Sequence, residues 1–175
     1  RTGDTDGSLA SDLSLAANTS YLLSAQLFVP SGRTLTIAAG TTIFALPVAS
    51  KSSPAPAIVV EQGGTITAAG TAANPITMTT IYAESILKSS AVVTSDSTTG
   101  AITLGERGKW GGLILLGNAP TSKPTGCATV EGITGKYYGG TDAADNSGTL
   151  QYVRVWHGGA VIGADNEING ITFAG

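Results

Sequence analysis

Two stretches that resemble each other decide the fold: FVPSGRTLTIAAGTTIFA at residues 28–45 and VVEQGGTITAAGTAANPITMTT at residues 59–80. Each contains a short apolar strand, a glycine turn, a strand with Thr-apolar-Thr, and then Ala-Ala-Gly-Thr. Aligning Gly32 with Gly63 brings the two copies into register at an offset of about thirty residues. Repeats of this size with tight turns are typical of solenoids, in which each unit buries its apolar face against the next.

The periodicity of the apolar residues predicts an all-β chain. They recur at spacing two rather than three or four, which is the period of a strand. Together with the repeat, this indicates a right-handed parallel β-helix with inserted loops, whose coils stack ~4.8 Å apart. Leu35 is then expected to lie over Ile66, and Ile37 over Ala68. The alternative is a β-sandwich, which the scarcity of hairpin signals such as Asn-Gly disfavours.

The predicted apolar core ladder extends from the repeat into the later strands. From the length we expect five to seven coils. The ladder comprises Leu35, Ile37, Ile66, Leu113, Leu115, Val153, Ile171 and Phe173.

The composition excludes several classes of protein. The chain has 175 residues, of which 42% are hydrophobic and only 12% charged, with 24 glycines and a net charge of −3. A charged disordered chain is therefore excluded, and no basic stripe is present to bind nucleic acid. No apolar run reaches the 18 residues of a membrane span. One cysteine and one histidine exclude an intrachain disulfide and a histidine-rich metal site.

The chain is expected to be one β-helix domain over residues 1–175, as a fragment of a longer protein. Residues 1–20 are predicted to be an N-terminal cap or lead-in. The Ser/Thr-rich segment 81–107 and the segment 121–148 are predicted to be inserted loops. The region 81–88 is the one helix candidate.

The later stretches carry a resemblance to a known family. WGGLILLG at 110–117, SGTLQYVR at 147–154 and NEINGITF at 166–173 are similar to segments of large secreted bacterial and algal surface proteins with a right-handed parallel β-helix. The resemblance covers nearly the whole chain. It implies the fold, an extracellular or cell-surface location and a longer native chain, but it implies no reaction.

Acidic loops are the candidate metal sites, although the sequence requires no cofactor. Oxygen ligands on glycine-rich turns suit Ca²⁺, but Asp and Asn side chains also stabilise turns without any metal. The N-terminal Asp4 and Asp6 carry the same ambiguity. The main Ca²⁺ candidates are Asp142, Asp145 and Asn146 in GGTDAADNSG, with Asp165 and Glu167 in GADNEING.

A carbohydrate site is the alternative function. Arg154 lies on the predicted Tyr152–Trp156 strand, and Trp156, Tyr137 and Tyr138 carry rings that can stack on sugars. A polysaccharide lyase needs a base beside a neutralising group, and a hydrolase needs paired carboxylates. No such pair can be identified here, so we predict that the chain is not an enzyme, with polysaccharide cleavage as the alternative.

A threonine pattern raises a third function, ice binding. Regular Thr-x-Thr rows on a flat solenoid wall would support it, although threonine suits the outer face of any strand. One of the three rows is expected to belong to another wall. The rows are Thr34-x-Thr36, Thr65-x-Thr67 and Thr77-x-Thr79.

Three single residues complete the candidates. Asn18 begins the glycosylation sequon Asn-Thr-Ser. Cys127 is either a free thiol, an intermolecular partner or a buried inert cysteine. His157, at a strand end before two glycines, is expected to be a turn or cap residue.

The sequence thus favours an extracellular structural or adhesive surface protein. It is expected to self-associate into a filament or matrix by stacking of its end coils, because an open strand edge can pair with another chain. Surface glycans are the other expected partners. Neither nucleic acid nor a membrane span is expected.

Overall fold

The computed structural model describes residues 7–47, 54–83, 107–123, 126–131, 133, 135–163, 166–167 and 169–175. These residues form short strands joined by turns, with a single 3₁₀ turn at Ile81–Ala83. Within them, no helix is long and apolar enough to cross a membrane. The strands are β1 (Leu13–Leu15), β2 (Ser20–Leu23), β3 (Leu27–Val29), β4 (Thr34–Ala38), β5 (Thr42–Ala45), β6 (Ala57–Val60), β7 (Thr65–Ala69), β8 (Ile76–Thr80), β9 (Gly112–Leu116), β10 (Ala128–Thr129), β11 (Tyr137–Tyr138), β12 (Gly148–Gln151), β13 (Val153–Val155), β14 (Val161–Gly163), β15 (Asn166–Glu167) and β16 (Ile171–Ala174).

Twelve of these strands form three parallel sheets. Sheet 1 contains β1, β4, β7 and β12; sheet 2 contains β2, β5, β8 and β13; sheet 3 contains β3, β6, β9 and β16. Each turn of the chain contributes one strand to each sheet, and the next turn pairs with it in parallel. The fold is therefore a right-handed parallel β-helix, as the sequence predicts.

The two similar stretches of sequence form equivalent strands of the second and third coils. Leu35 pairs with Ile66 and Ile37 with Ala68, which confirms the predicted register. The turn before each strand contains a left-handed glycine, Gly32 with φ 72° and Gly63 with φ 75°, a conformation that costs glycine little. The Gly32 amide donates to the Gly63 carbonyl at 2.9 Å, so the two turns also stack.

The inward side chains form one continuous apolar core. Ladder residues of the second and third coils are fully or almost fully buried. Leu35, Ile37, Ile66, Leu113 and Leu115 occupy the positions expected of them.

The ladder prediction is wrong about burial in the fourth coil. Val153 is only half-buried, Ile171 is 38% exposed and Phe173 is 70% exposed. Ile171 and Phe173 do stack in register on Leu113 and Leu115. They are exposed because no further described coil covers them.

The described residues form four coils, fewer than the five to seven expected. Long segments between strands use up the length. The strands of sheets 2 and 3 are joined by residues 24–26, 46–56, 81–111 and 156–170, whereas those of sheets 1 and 2 are joined by six residues at most. The corner between sheets 2 and 3 therefore varies in length from coil to coil, while the corner between sheets 3 and 1 is short twice and then contains residues 117–147.

The structure differs from two sequence predictions, the lead-in at residues 1–20 and the helix at residues 81–88. Leu13–Leu15 is already a strand of sheet 1, so the first coil starts inside the segment expected to be a lead-in. The helix candidate at 81–88 is a 3₁₀ turn at Ile81–Ala83, and its remainder, like most of the 81–107 loop, lies outside the described residues.

The segment 121–148 packs against the outer face of sheet 3. Its strands β10 and β11 pair antiparallel. Val130 and Ile133 join a second buried cluster with sheet 3 residues such as Val59 and Ile114. This segment therefore shields the outward apolar side chains of sheet 3 from water.

Candidate functional site

Arg154 and Trp156 lie together on the outer face of sheet 2. Because side chains alternate along a strand, the inward packing of Val153 and Val155 turns Arg154 outward. Arg154 is in register with Thr77, and the Trp156 amide donates to the Met78 carbonyl at 2.9 Å, which continues the ladder past the end of β13.

The two side chains form a cation–aromatic pair. The Arg154 guanidinium carbon lies 5.8 Å from the centre of the Trp156 ring. Arg154 is exposed and Trp156 is half-buried. Within the described part of the chain, no carboxylate forms an ion pair with Arg154. The pair therefore presents a positive charge beside an aromatic surface.

Buried groups fix the backbone at this pair. The indole nitrogen of Trp110, a fully buried side chain, donates to the Trp156 carbonyl at 2.7 Å. The His157 ring lies edge-on to the Trp156 ring, with centroids 6.3 Å apart and an interplanar angle of 81°. These contacts fix the backbone at Trp156 and place the His157 ring against one edge of its indole.

His157 itself is a buried turn residue, as expected from its position. Its φ of 60° is in the left-handed region, and its Nδ1 is hydrogen-bonded to the Thr79 hydroxyl at 2.7 Å. Sequence reasoning placed Thr79 in an outward row and gave Trp110 no role. No local signal could have found either contact, because the partners are separated by 78 and 46 residues.

Tyr137 and Tyr138 are placed elsewhere. They form β11, where Tyr137 is 54% exposed and Tyr138 packs on the second buried cluster. The Gly139 amide donates to the Gly117 carbonyl, so the tyrosines lie beyond the end of β9. Trp156 lies near the start of β9, beside Trp110, about 15 Å away along the strand direction. The four predicted carbohydrate residues therefore form two separate pairs.

The acidic residues of the 121–148 segment serve the turns that contain them. Asp142 accepts the Ala144 amide at 2.9 Å, and Asn146 accepts the Gly148 amide at 2.8 Å. Asp145 accepts both the backbone amide and the side-chain amide of Asn118, at 3.0 and 3.2 Å. These are the turn roles that Asp and Asn oxygens commonly take.

The remaining calcium candidates are not described. Asp165 lies outside the described residues, as do Asp4 and Asp6, and the structure gives only the backbone of Glu167. In the part of the chain that is described, no three His, Cys, Asp or Glu residues are grouped as a metal site would require. Calcium binding at these loops stays the alternative to these turn roles.

The threonine rows divide between two sheets. Ser14, Thr36, Thr67 and Thr149 form one outward column across sheet 1. Thr77 and Thr79 belong to sheet 2, as expected of one row, but both are buried. Ice binding by the sheet 1 wall stays a prediction, which a crystal-shaping assay tests.

Asn18 and Cys127 are both exposed. Asn18 lies in the turn between β1 and β2 with φ 54°, where a glycan would meet solvent. The exposed position of Cys127 excludes the buried inert alternative. Glycosylation and intermolecular pairing stay predictions.

The arrangement around Arg154 can bind a ligand more readily than it can transform one. An arginine matches a carboxylate with two parallel hydrogen bonds, and a tryptophan face offers apolar area to a flat ring. Acid–base catalysis needs a second proton-transferring group within reach of the substrate. Among the described residues, hydrogen bonds are made by the carboxylates of Asp12, Glu61, Asp142 and Asp145. Their partners lie on elements other than β13.

A comparison with known families accounts for nearly the whole chain. The family described as "Pectate-lyase like beta helix domain" matches residues 7–89 and 80–175. Comparisons with curated proteins and with solved structures gave no match. The stacked sheets and the two matched stretches agree, and the chain belongs to the pectate-lyase-like beta helix domain family.

Proposed function

We propose that this chain is a non-catalytic, extracellular adhesive module that binds acidic polysaccharide through Arg154 and Trp156. The observation that carries the proposal is their exposed pair, whose guanidinium lies 5.8 Å from the indole ring without a carboxylate neighbour among the described residues. The family is consistent with a polysaccharide ligand and leaves an enzymatic role open.

The chemistry of a uronate fits this surface. Its ring has apolar faces that can lie against an indole, while its carboxylate can accept two hydrogen bonds from the guanidinium. Because Trp110 fixes the backbone at Trp156 and His157 lies against its ring, less conformational entropy is lost on binding than at a freely moving side chain. Each contact is weak at an exposed site, so we expect useful affinity only from a polymer that engages many copies.

Binding to polygalacturonate, measured by calorimetry at low and high salt, tests the proposal. Arg154→Ala should weaken binding about tenfold and remove most of its salt dependence. Trp156→Ala should weaken binding to a similar extent, with the salt dependence retained. The matched control is Arg33→Ala, which removes an exposed arginine from the turn between the first and second coils.

Two outcomes would contradict the proposal. Equal binding to a neutral polymer such as dextran would show that the carboxylate is not recognised. Release of unsaturated sugars, followed by their ultraviolet absorbance and lost in Arg154→Ala, would show that the site is catalytic.

A further inference from the structure

We propose that the outer face of sheet 1 binds ice through a grid of threonine hydroxyls. This is a further function, and it does not depend on the polysaccharide site, because Arg154 lies on sheet 2. The Thr-x-Thr pattern raises ice binding as one use among several. The structure adds the position, the register and the hydrogen bonding of these side chains. The hydroxyl grid consists of Thr34, Thr36, Thr65 and Thr67.

The hydroxyl grid is regular in two directions. Thr34 pairs with Thr65 and Thr36 pairs with Thr67, in parallel and in unbroken register. Hydroxyls therefore recur at about 4.8 Å from coil to coil, and at about 6.6 Å along each strand, where two residues separate them. Both strands lie between β1 and β12, so their placement does not depend on what precedes or follows the chain.

The neighbouring coils extend one column of the grid. Ser14 is in register with Thr36, and Thr149 is in register with Thr67, so a hydroxyl occupies this outward column on all four described coils. On the same face, Ala38 is the next outward residue after Thr36. All of these side chains are small and uncharged. The wall is therefore flat and electrically neutral along its centre.

The hydroxyls of the grid are left for water. Within the described part of the chain, none of the four has a hydrogen-bond partner in the protein. Other threonines use theirs internally: Thr41 donates to two backbone carbonyls, and the Thr79 hydroxyl is bonded to His157. Among the described side chains, the hydroxyl that is buried without a partner is that of Thr80. The half-buried grid threonines therefore present their hydroxyls to solvent.

Threonine is well suited to hold hydroxyls at fixed spacings. Its branched β-carbon restricts χ1, so little side-chain entropy remains to be lost on binding. Each hydroxyl donates one hydrogen bond and accepts two. Water molecules bonded to such a grid are ordered in two dimensions, as water is in the surface layer of an ice crystal. The wall can therefore adsorb to ice through many weak contacts made together.

A charged side chain within the grid would orient water around itself and disturb this order. In the first coil, Asp12 precedes β1 at the edge of the wall. Its Oδ1 accepts the Thr34 amide at 3.0 Å, so this carboxylate is directed to the backbone of the next coil. The neutral centre of the wall thus matches a neutral crystal surface.

A neutral crystalline polysaccharide is the other flat surface that carries hydroxyls. Sugar rings pack favourably against aromatic faces, but β4 and β7 contain no aromatic residue. The exposed ring of Tyr137 lies on β11, outside sheet 1. The composition of the wall therefore favours ice over a sugar polymer.

Nanolitre osmometry tests the proposal. The unmodified chain should shape growing ice into facets and separate the freezing point from the melting point by a gap that widens with protein concentration. Thr36→Lys and Thr67→Lys each place a long charged side chain within the grid. Both should abolish the facets and the gap, because the remaining hydroxyls can no longer contact the crystal together.

Two variants serve as controls. Tyr137→Lys adds the same charge on β11 and should leave ice shaping unchanged. Arg154→Ala should also leave it unchanged, so failure of the polysaccharide site and failure of the ice site can be told apart.

Far-ultraviolet circular dichroism checks that each variant is folded, and either lysine variant suffices if the other is not. Round, unfaceted ice crystals with the unmodified chain would overturn the proposal, as would faceted ice with folded Thr36→Lys. Binding to microcrystalline cellulose that Thr36→Lys abolishes, with ice left unfaceted, would overturn it in favour of a neutral polysaccharide.

Discussion

Substitutions are tolerated least where the backbone of one coil passes close to the backbone of the next. Gly148 begins β12 with φ 122°, and a Cβ built on it would lie 1.9 Å from the carbonyl oxygen of Ile66. Gly32 also has a positive φ, 72°, but its Cβ would meet nothing within 4 Å. Gly148 therefore adds a close contact, and a φ further from the left-handed helical region, to the cost that Gly32 carries.

Gly148→Ala should lower the free energy of unfolding more than Gly32→Ala does. Gly32→Ala should cost about 1–2 kcal/mol through its left-handed conformation alone. Gly148→Ala should cost at least ~2 kcal/mol more, because backbone must move to make room. Urea denaturation measures both, and equal losses would contradict the close approach of β12 to β7.

At the scale of elements, the segment 121–148 is fastened to the coil by a few side chains. The Gln62 amide donates to the carbonyls of Gly117 and Gly139, at 3.1 and 2.8 Å. Lys136 pairs with Glu61 at 2.6 Å and lies 4.6 Å from the centre of the Phe28 ring. Both contacts start from the turn after β6.

Gln62→Ala should therefore loosen the segment without unfolding the coil. Losing two hydrogen bonds should cost about 1–3 kcal/mol locally. The amides of Gly139 and Gly140 should then exchange with deuterium at least about fivefold faster, while the Thr77 amide, which donates to the Thr41 carbonyl within the coil, keeps its rate. Gln151→Ala, at an exposed position on β12, is the control. Uniform acceleration would show that the segment and the coil open together.

Chelation tests the acidic turns of the same segment. Both carboxylate oxygens of Asp145 already accept hydrogen bonds from Asn118. We therefore expect EDTA to leave the Tm of the protein unchanged. A Tm that falls with EDTA and returns with added Ca²⁺ would instead assign these oxygens to a metal.

At the scale of the whole molecule, stability depends on the inward ladder. Leu35 is fully buried and is flanked in register by Leu13 and Ile66. Leu35→Ala should lower the free energy of unfolding by about 2–5 kcal/mol, because the cavity lies between two rigid coils. Leu22→Ala, at an outward and largely exposed position, should change it by less than about 0.5 kcal/mol. Chemical denaturation followed by tryptophan fluorescence compares them, and similar losses would contradict the ladder.

The sequence alone predicts the coil where its repeat is regular. The pairing of Leu35 with Ile66 could be derived because each strand follows a turn with a left-handed glycine at the same position. The later pairings, such as Thr149 with Thr67, could not be derived because a long segment separates the two strands.

The candidate site was predicted only in part. Arg154 lies on β13 and Trp156 two residues later, where the ladder continues past the strand end, so period two alone places them together. Their separation from Tyr137 and the support from Trp110 depend on how distant segments fold over the coil. No periodicity in the sequence encodes such contacts.

The corner between sheets 2 and 3 has a consequence for how such a protein can change. Its connecting segments differ severalfold in length while the sheets keep one register. Insertions and deletions there leave the rise of each coil unaltered. The strands can therefore stay the same while the connecting segments change in length and sequence. Trp110 and Trp156 both lie at this corner. A short foreign peptide inserted between Pro47 and Pro54 should accordingly be displayed without a change in the register of the sheets.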